Sequence, residues 1–320
     1  MSTLCFAENP VALEELSLLS SEIAASLPRL RLGNVTRLGG FRLSCVRHDK
    51  NVVYRVAGKA DWYLKIPGRL ADVVVGRELL GAEASYQALR ALPVCLFPSY
   101  VSADVENGYL LASRVRAQQL NHVLYWSSVT SLWFDRGRTQ AAFRNLGTAL
   151  GHLHGTEAGR VPGDRSNRRL PGEDGKVLLK APRPWEEALV HGNLRMDNVL
   201  TADGRVCMVD FENCGHGSIY DDLSIICSQL LLVRTLMAFP WRHATAAMQA
   251  FLQGYESIHR CDPHWLGRHV SERVRRFELK ARRNRLAEGR IAAMPVLLSK
   301  VRRLRAVLDR EPSLAGDTPW

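Results

Sequence analysis

VHGNLRMDNVLTADGRVCMVDFENCGHG, residues 190–217, sets the architecture of the chain. Two short runs of strand character, Asn198 to Thr201 and Val206 to Val209, flank Ala202-Asp203-Gly204, a strong hairpin-turn sequence. Asn198 opens the first run and Asp210 closes the second, so the hairpin returns the chain nearly to where it started. A hard Mg²⁺ ion takes oxygen ligands in octahedral array and uses few protein groups alongside nucleotide phosphates. Asn198 and Asp210 supply that chemistry and are the expected metal ligands.

On the N-terminal side, residues 12–29 have helical apolar spacing with a stop at Pro28. Strand-like runs follow at Val35 to Leu38, Phe41 to Val46, Val52 to Val56 and Trp62 to Ile66, punctuated by Gly39-Gly40, Asp49-Lys50-Asn51 and Gly58. A helix is expected at about 74–91, then strands at about 97–103 and 109–114 turning at Glu106-Asn107-Gly108. From about 120 the pattern is helical, and 141–155 places Phe143, Leu146, Leu150, Leu153 and His154 at helix spacing. Residues 156–184, rich in Gly, Pro and charge, read as a long loop. Beyond the hairpin the chain reads as helical to about 309.

With these elements in place, 190–225 resembles the catalytic core of the aminoglycoside phosphotransferase and choline kinase family, distant relatives of protein kinases. There His-Gly-Asp or His-Asn-Asp is followed by four residues and Asn, then about a dozen residues later by Asp-Phe. Here His191-Gly192-Asn193, Asn198 and Asp210-Phe211-Glu212 fall at that spacing. Tyr220-Asp221-Asp222-Leu223 resembles the family's YDLA element, and 146–154 its helix before the catalytic loop. The resemblance implies an α+β, two-lobed protein-kinase-like fold with a nucleotide–Mg²⁺ site between the lobes. Its small β-rich N-lobe would be 1–118, including a helical extension at 1–30; the larger helical C-lobe would be 119–310, with a tail at 311–320.

It implies function too: transfer of the γ-phosphate of ATP or GTP to the hydroxyl of a small molecule, with Mg²⁺. Lys65, on the strand-like Trp62-Tyr63-Leu64-Lys65-Ile66-Pro67, would hold the α/β-phosphates, and a helix Glu would orient it. Glu83 and Glu78 compete for that pairing, and Glu83 fits the family's Glu-Ala-x-x-Tyr-x-x-Leu pattern better. The phosphate loop is expected at 47–51, with His48 and Asn51 near the nucleotide, while Gly39-Gly40 form a bend or an alternative cap. Arg195 stands where protein kinases place a Lys facing the γ-phosphate, and His191 would brace the loop. Asp222 would be a structural acid beneath it.

One residue departs from the pattern. Asn193 occupies the place of the catalytic Asp, and an amide has no useful basicity. General-base help is worth on the order of 10²–10⁴ in rate. Three explanations stay open: a catalytically silent nucleotide-binding protein, another base such as Asp197, or an Asp→Asn change introduced on purpose.

The formal charge of +11 is concentrated between Arg268 and Arg305, where 13 Lys/Arg meet three acids. Such a stripe suits an anionic or neutral acceptor, peripheral contact with a membrane surface, nucleic acid, or simply a solvated helix face. No RRM, zinc-finger or helix-turn-helix signature supports the nucleic-acid version. Seven cysteines without a CxxC pair argue for reduced thiols and a cytoplasmic protein. No run is long and apolar enough to span a bilayer, and the acidic N-terminus does not read as a secretory signal.

Overall fold

The computed structural model describes residues 2–5, 10–48, 50–68, 70–130, 136–156, 187–236, 241–288 and 294–310. The loop expected at 156–184 and the tail at 311–320 therefore fall almost wholly outside the described residues. The chain divides into two compact units. One comprises Met1–Arg90, Leu96–Ala117 and Val209–Cys214; the other comprises Ala91–Cys95, Gln118–Met208 and Gly215–Trp320. The first unit thus recruits the Asp-Phe-Glu segment from far along the sequence, which no single boundary near 118 can describe.

The first unit is an antiparallel seven-stranded sheet built from β1 (Ser2–Cys5), β2 (Arg37–Leu38), β3 (Phe41–His48), β4 (Asn51–Ala57), β5 (Asp61–Pro67), β6 (Tyr100–Asp104) and β7 (Tyr109–Ser113). Its order is β1-β6-β7-β5-β4-β3-β2. Strict alternation along β4 buries Val52, Tyr54 and Val56 on one face, where they join Leu43, Trp62 and Leu64. Helix α1 (Pro10–Leu30) adds Leu16, Leu19, Ile23, Leu27 and Leu30 to that cluster. The helix does not stop at Pro28. Losing one backbone donor is offset because Leu30 is fully buried and its carbonyl accepts the Tyr54 hydroxyl at 2.9 Å. The buried Glu15 carboxylate ties α1 to the β4–β5 turn, accepting from the amides of Lys59 (2.5 Å) and Ala60 (2.7 Å) and from Trp62 Nε1 (3.2 Å). β1 went unforeseen, since four residues carry too little alternation to read.

Helix α2 (Ala71–Leu89) follows β5, burying Val74, Val75, Glu78, Gly81, Ser85 and Leu89. The β6–β7 turn falls where Glu106-Asn107-Gly108 predicts; Asp104 accepts from the Asn107 amide at 3.0 Å, and Gly108 takes a φ of 70°.

The second unit is mainly helical. Its helices are α3 (Leu120–Thr130), α4 (Arg136–His154), α5 (Ile219–Leu236), α6 (Trp241–Glu256), α7 (Pro263–Glu288) and α8 (Met294–Arg310). Five short strands accompany them among the described residues. β8 (Gln118–Gln119), β10 (Val199–Ala202) and β11 (Arg205–Met208) form one sheet, and β9 (Glu187–Val190) pairs with β12 (Gly215–Ser218). The β10–β11 hairpin turns on Asp203 and Gly204, at φ 52° and 78°, the two positive values that a tight two-residue turn requires. Asn198 ends a single 3₁₀ turn (Met196–Asn198) before β10 instead of opening the strand, and Asp210 lies beyond the end of β11. Among the described residues no helix is long and apolar enough to cross a membrane.

Candidate active site

In the first unit the sequence brings four charged side chains to one point. Lys65, next to last but one on β5, is only 9% exposed because the strand is buried on both faces near its end. Its Nζ lies 2.7 Å from Glu78 Oε2 on α2, 3.1 Å from Glu212 Oε2, and in direct contact with Asp210 Oδ1. Carboxylate oxygens of Glu78, Asp210 and Glu212 all lie within 4.8 Å of one another. Asn51, at the start of β4, donates to Glu212 Oε2 at 3.4 Å. Asp210 has a φ of 70°, a conformation that costs a non-glycine residue energy and recurs at functional sites.

Burial works against the Lys65 ammonium, but Glu78, Asp210 and Glu212 more than offset it and hold its pKa above the usual lysine value. Burial also pushes the Glu78 carboxyl up to about 7 against the pull of Lys65, with Asp210 and Glu212 adding to the rise. Three carboxylates on one ammonium leave surplus negative charge on hard oxygen atoms. That is the chemistry a divalent cation neutralises, so the residues fit the expected ion.

Glu83 does not pair with Lys65. It is exposed, and Glu78 takes the position. The two are five residues apart, so helical geometry turns Glu83 about 140° away from Glu78. His48, at the end of β3, is also exposed.

In the second unit, Asp222 on α5 is fully buried and fixes the loop that carries Asn193. Its oxygens accept from the amides of His191 (2.7 Å) and Gly192 (2.9 Å), the latter with a φ of 78°. His154 Nε2 lies 3.3 Å from the same carboxylate, and His154 Nδ1 lies 2.9 Å from the Tyr255 hydroxyl on α6. Burial lowers the His154 pKa despite Asp222, which favours the neutral ring. In the neutral ring, Nε2–H donates to the acceptor-only carboxylate of Asp222 and Nδ1 accepts from the Tyr255 hydroxyl. Burial by itself would raise the Asp222 pKa, but His154 and then His191 outweigh it and hold the group below its ordinary value.

The rest of the loop is pinned as well. The Asn193 carbonyl accepts from Asn198 Nδ2 at 3.0 Å and from the Arg195 amide at 2.8 Å. Arg195 pairs with Asp197 at 3.0 Å, the Met196 amide donates to Gln229 on α5, and Gln119 on β8 donates to the Asp197 carbonyl. Sequence reasoning left two features unassigned. Glu212 stands inside the quoted motif but received no role, and nothing local marks Tyr255, 101 residues from its partner His154. Tyr255 is a fully buried core group.

An antiparallel sheet unit with a Lys–Glu pair, together with a helical unit carrying a loop held by a buried Asp, defines a protein-kinase-like fold. Residues 176–264 match the model of the phosphotransferase enzyme family, APH, and thus include the whole of 190–225. Among the solved structures that share the fold are the following two. An amicoumacin kinase, solved in complex with AMP-PNP, Ca²⁺ and Ami, has 15% identity and a TM-score of 0.56 over 86% of this chain and 90% of that one. A choline/ethanolamine kinase family protein from Mesorhizobium loti has 19% identity and a TM-score of 0.52 over 92% of this chain and 96% of that one. No curated protein matches the chain in sequence. The resemblance to aminoglycoside phosphotransferases and choline kinases read from the motif is borne out, and so is the α+β kinase-like fold.

Proposed function

We infer that the protein is a small-molecule O-phosphotransferase that moves the γ-phosphoryl group of ATP or GTP to a hydroxyl acceptor, using Mg²⁺, in the cytoplasm. The observation that carries this reading is the convergence of Lys65, Glu78, Asp210 and Glu212, two of them from the segment matching the phosphotransferase family. Lys65, held by Glu78, would grip the α/β-phosphate oxygens, with Asn51 and His48 contributing from the β3–β4 turn. Asn198 and Asp210 would hold the ion, which when bound supplies charge to offset the phosphate oxygens. Arg195 would face the γ-phosphate.

In the transfer the acceptor oxygen forms a new bond to the γ-phosphorus while the bond to the β-bridging oxygen breaks. The nucleoside diphosphate leaves with that electron pair. Asn193 would orient the acceptor hydroxyl through its amide oxygen, but cannot take its proton. Asp197 is the carboxylate in the same loop that could. The excess of cations in the second unit favours an anionic or neutral acceptor over a polycation.

Titration with Mg²⁺-nucleotide tests the reading. Asp210→Ala should weaken binding several-fold or more in a chain that still melts cooperatively; an unchanged titration removes the assignment. Asn193→Asp should raise turnover, on the order of 10² or more, because it restores a basic oxygen in the same shape. With Asp197 as the working base, Asn193→Asp changes little and Asp197→Asn abolishes transfer. If neither variant nor the parent chain transfers phosphate to any hydroxyl or to water, a silent nucleotide-binding role replaces the enzyme.

A further inference from the structure

We propose that the groove between the first turns of α7 and the last turn of α8 is a second ligand site, which binds a small soluble phosphoryl anion through Arg268 and Arg310. The groove encloses about 430 Å³, within the range of about 300–1,000 Å³ typical of small-ligand pockets. Its floor is the buried Leu308 and its rim carries His264.

What points to an anion is the pairing pattern of the walls. The groove has two carboxylates, and both are already matched. Glu272 is gripped by Arg275 through two bonds of 2.6 and 2.7 Å and by Arg276 at 3.1 Å. Asp309 accepts the Ser271 hydroxyl at 2.5 Å and lies 3.7 Å from Arg305. Arg268 and Arg310 have no carboxylate partner among the described residues. Arg268 is instead steadied over the Trp265 ring, 5.1 Å from its centroid. Two guanidinium forks from the two helices that flank the groove, with Glu272 neutralised and Asp309 held by Ser271, offer the donors that the paired oxygens of a phosphoryl group require. None of these residues belongs to the proposed nucleotide-binding set, so the site stands or falls apart from the reading above.

Calorimetric titration of the whole chain with inorganic pyrophosphate at low salt tests the site. Binding should persist in Lys65→Ala and fall roughly 10-fold or more in the double variant Arg268→Gln/Arg310→Gln. Both arginines are exposed, and matching thermal melts check that the double variant keeps its fold. No binding by the parent chain, an unchanged affinity in the double variant, or loss of binding in Lys65→Ala overturns the proposal. So does co-sedimentation with phosphatidic-acid vesicles in a chain that ignores pyrophosphate, since the surface would then serve a lipid headgroup.

Discussion

At the scale of single residues, the choice between Glu78 and Glu83 has a measurable consequence. Lys65 is buried, so its ammonium depends on the carboxylates around it, and Glu78 is the one fixed on a rigid helix. Glu78→Gln should lower kcat/KM for the nucleotide by about 10-fold or more, while the fold survives because Asp210 and Glu212 still neutralise Lys65. Glu83→Gln should leave turnover unchanged, as expected for an exposed charge. Steady-state kinetics on the two variants decide the matter, and equal effects would contradict the pairing. A second residue-scale effect concerns His269 on α7. Burial, then Arg273 and Arg268, lowers its pKa to about 4, and among the described residues its Nδ1 has no hydrogen-bond partner that would stabilise the protonated ring. A histidine with a depressed folded pKa contributes its stability fully above the ordinary value of 6.5. As pH falls from there towards 4, the unfolded chain gains a proton that the folded chain refuses. This group should cost roughly 3 kcal/mol across that window, and His269→Gln should flatten the loss in denaturant melts.

At the scale of elements, α2 and the Asp-Phe-Glu turn meet through the absence of a side chain. A Cβ on Gly81 would lie 2.6 Å from Phe211 Cβ and 2.8 Å from Cys214 Cβ, closer than packed atoms approach. Gly81 is one turn beyond Glu78, so the same helix face that holds Lys65 also receives the turn bearing Asp210 and Glu212. Gly81→Ala should therefore push that turn away and weaken Mg²⁺-nucleotide binding by about 10-fold or more. Gly76 on the same helix is the control, because nothing lies within 4 Å of a Cβ there. Gly76→Ala should stabilise the chain by about 0.5–1 kcal/mol and leave nucleotide affinity unchanged. Titration and thermal melts on the pair separate a packing requirement from helix propensity.

At the scale of the whole molecule, the concentrated positive charge turns out to be partly structural. Glu278, 1% exposed on α7, bonds to Arg302 at 3.0 Å and Arg305 at 2.9 Å on α8, and to Arg282 on its own helix. Arg273 is spent on the Ser224 hydroxyl and the Asp221 carbonyl of α5, and Arg275 and Arg276 on Glu272. Arg302, Arg305 and Arg273 thus lock helices together, while Arg282, Arg275 and Arg276 pair with acids of their own helix, so all six are poorly placed to grip a partner. Glu278→Ala should destabilise the chain by roughly 1–3 kcal/mol and leave anion binding unweakened. Stronger dependence of anion binding than of melting temperature on Glu278 would restore the open-stripe reading.

What the sequence determined by itself is whatever depends on near neighbours along the chain. The Asp203-Gly204 turn, the alternation of β4, the helix through 141–155 and the spacing of His191, Asn198 and Asp210 are local properties, legible because steric preference and periodicity act over a few residues. The kinase-like fold was implied by the family resemblance that this spacing carries. Tertiary structure decided matters between distant segments: that 209–214 joins the first unit, that Glu78 and not Glu83 meets Lys65, that α1 runs through Pro28, and that Tyr255 reaches Asp222 through His154. In each, two or more local options lie within a few kcal/mol, and burial against residues tens to hundreds of positions away selects among them.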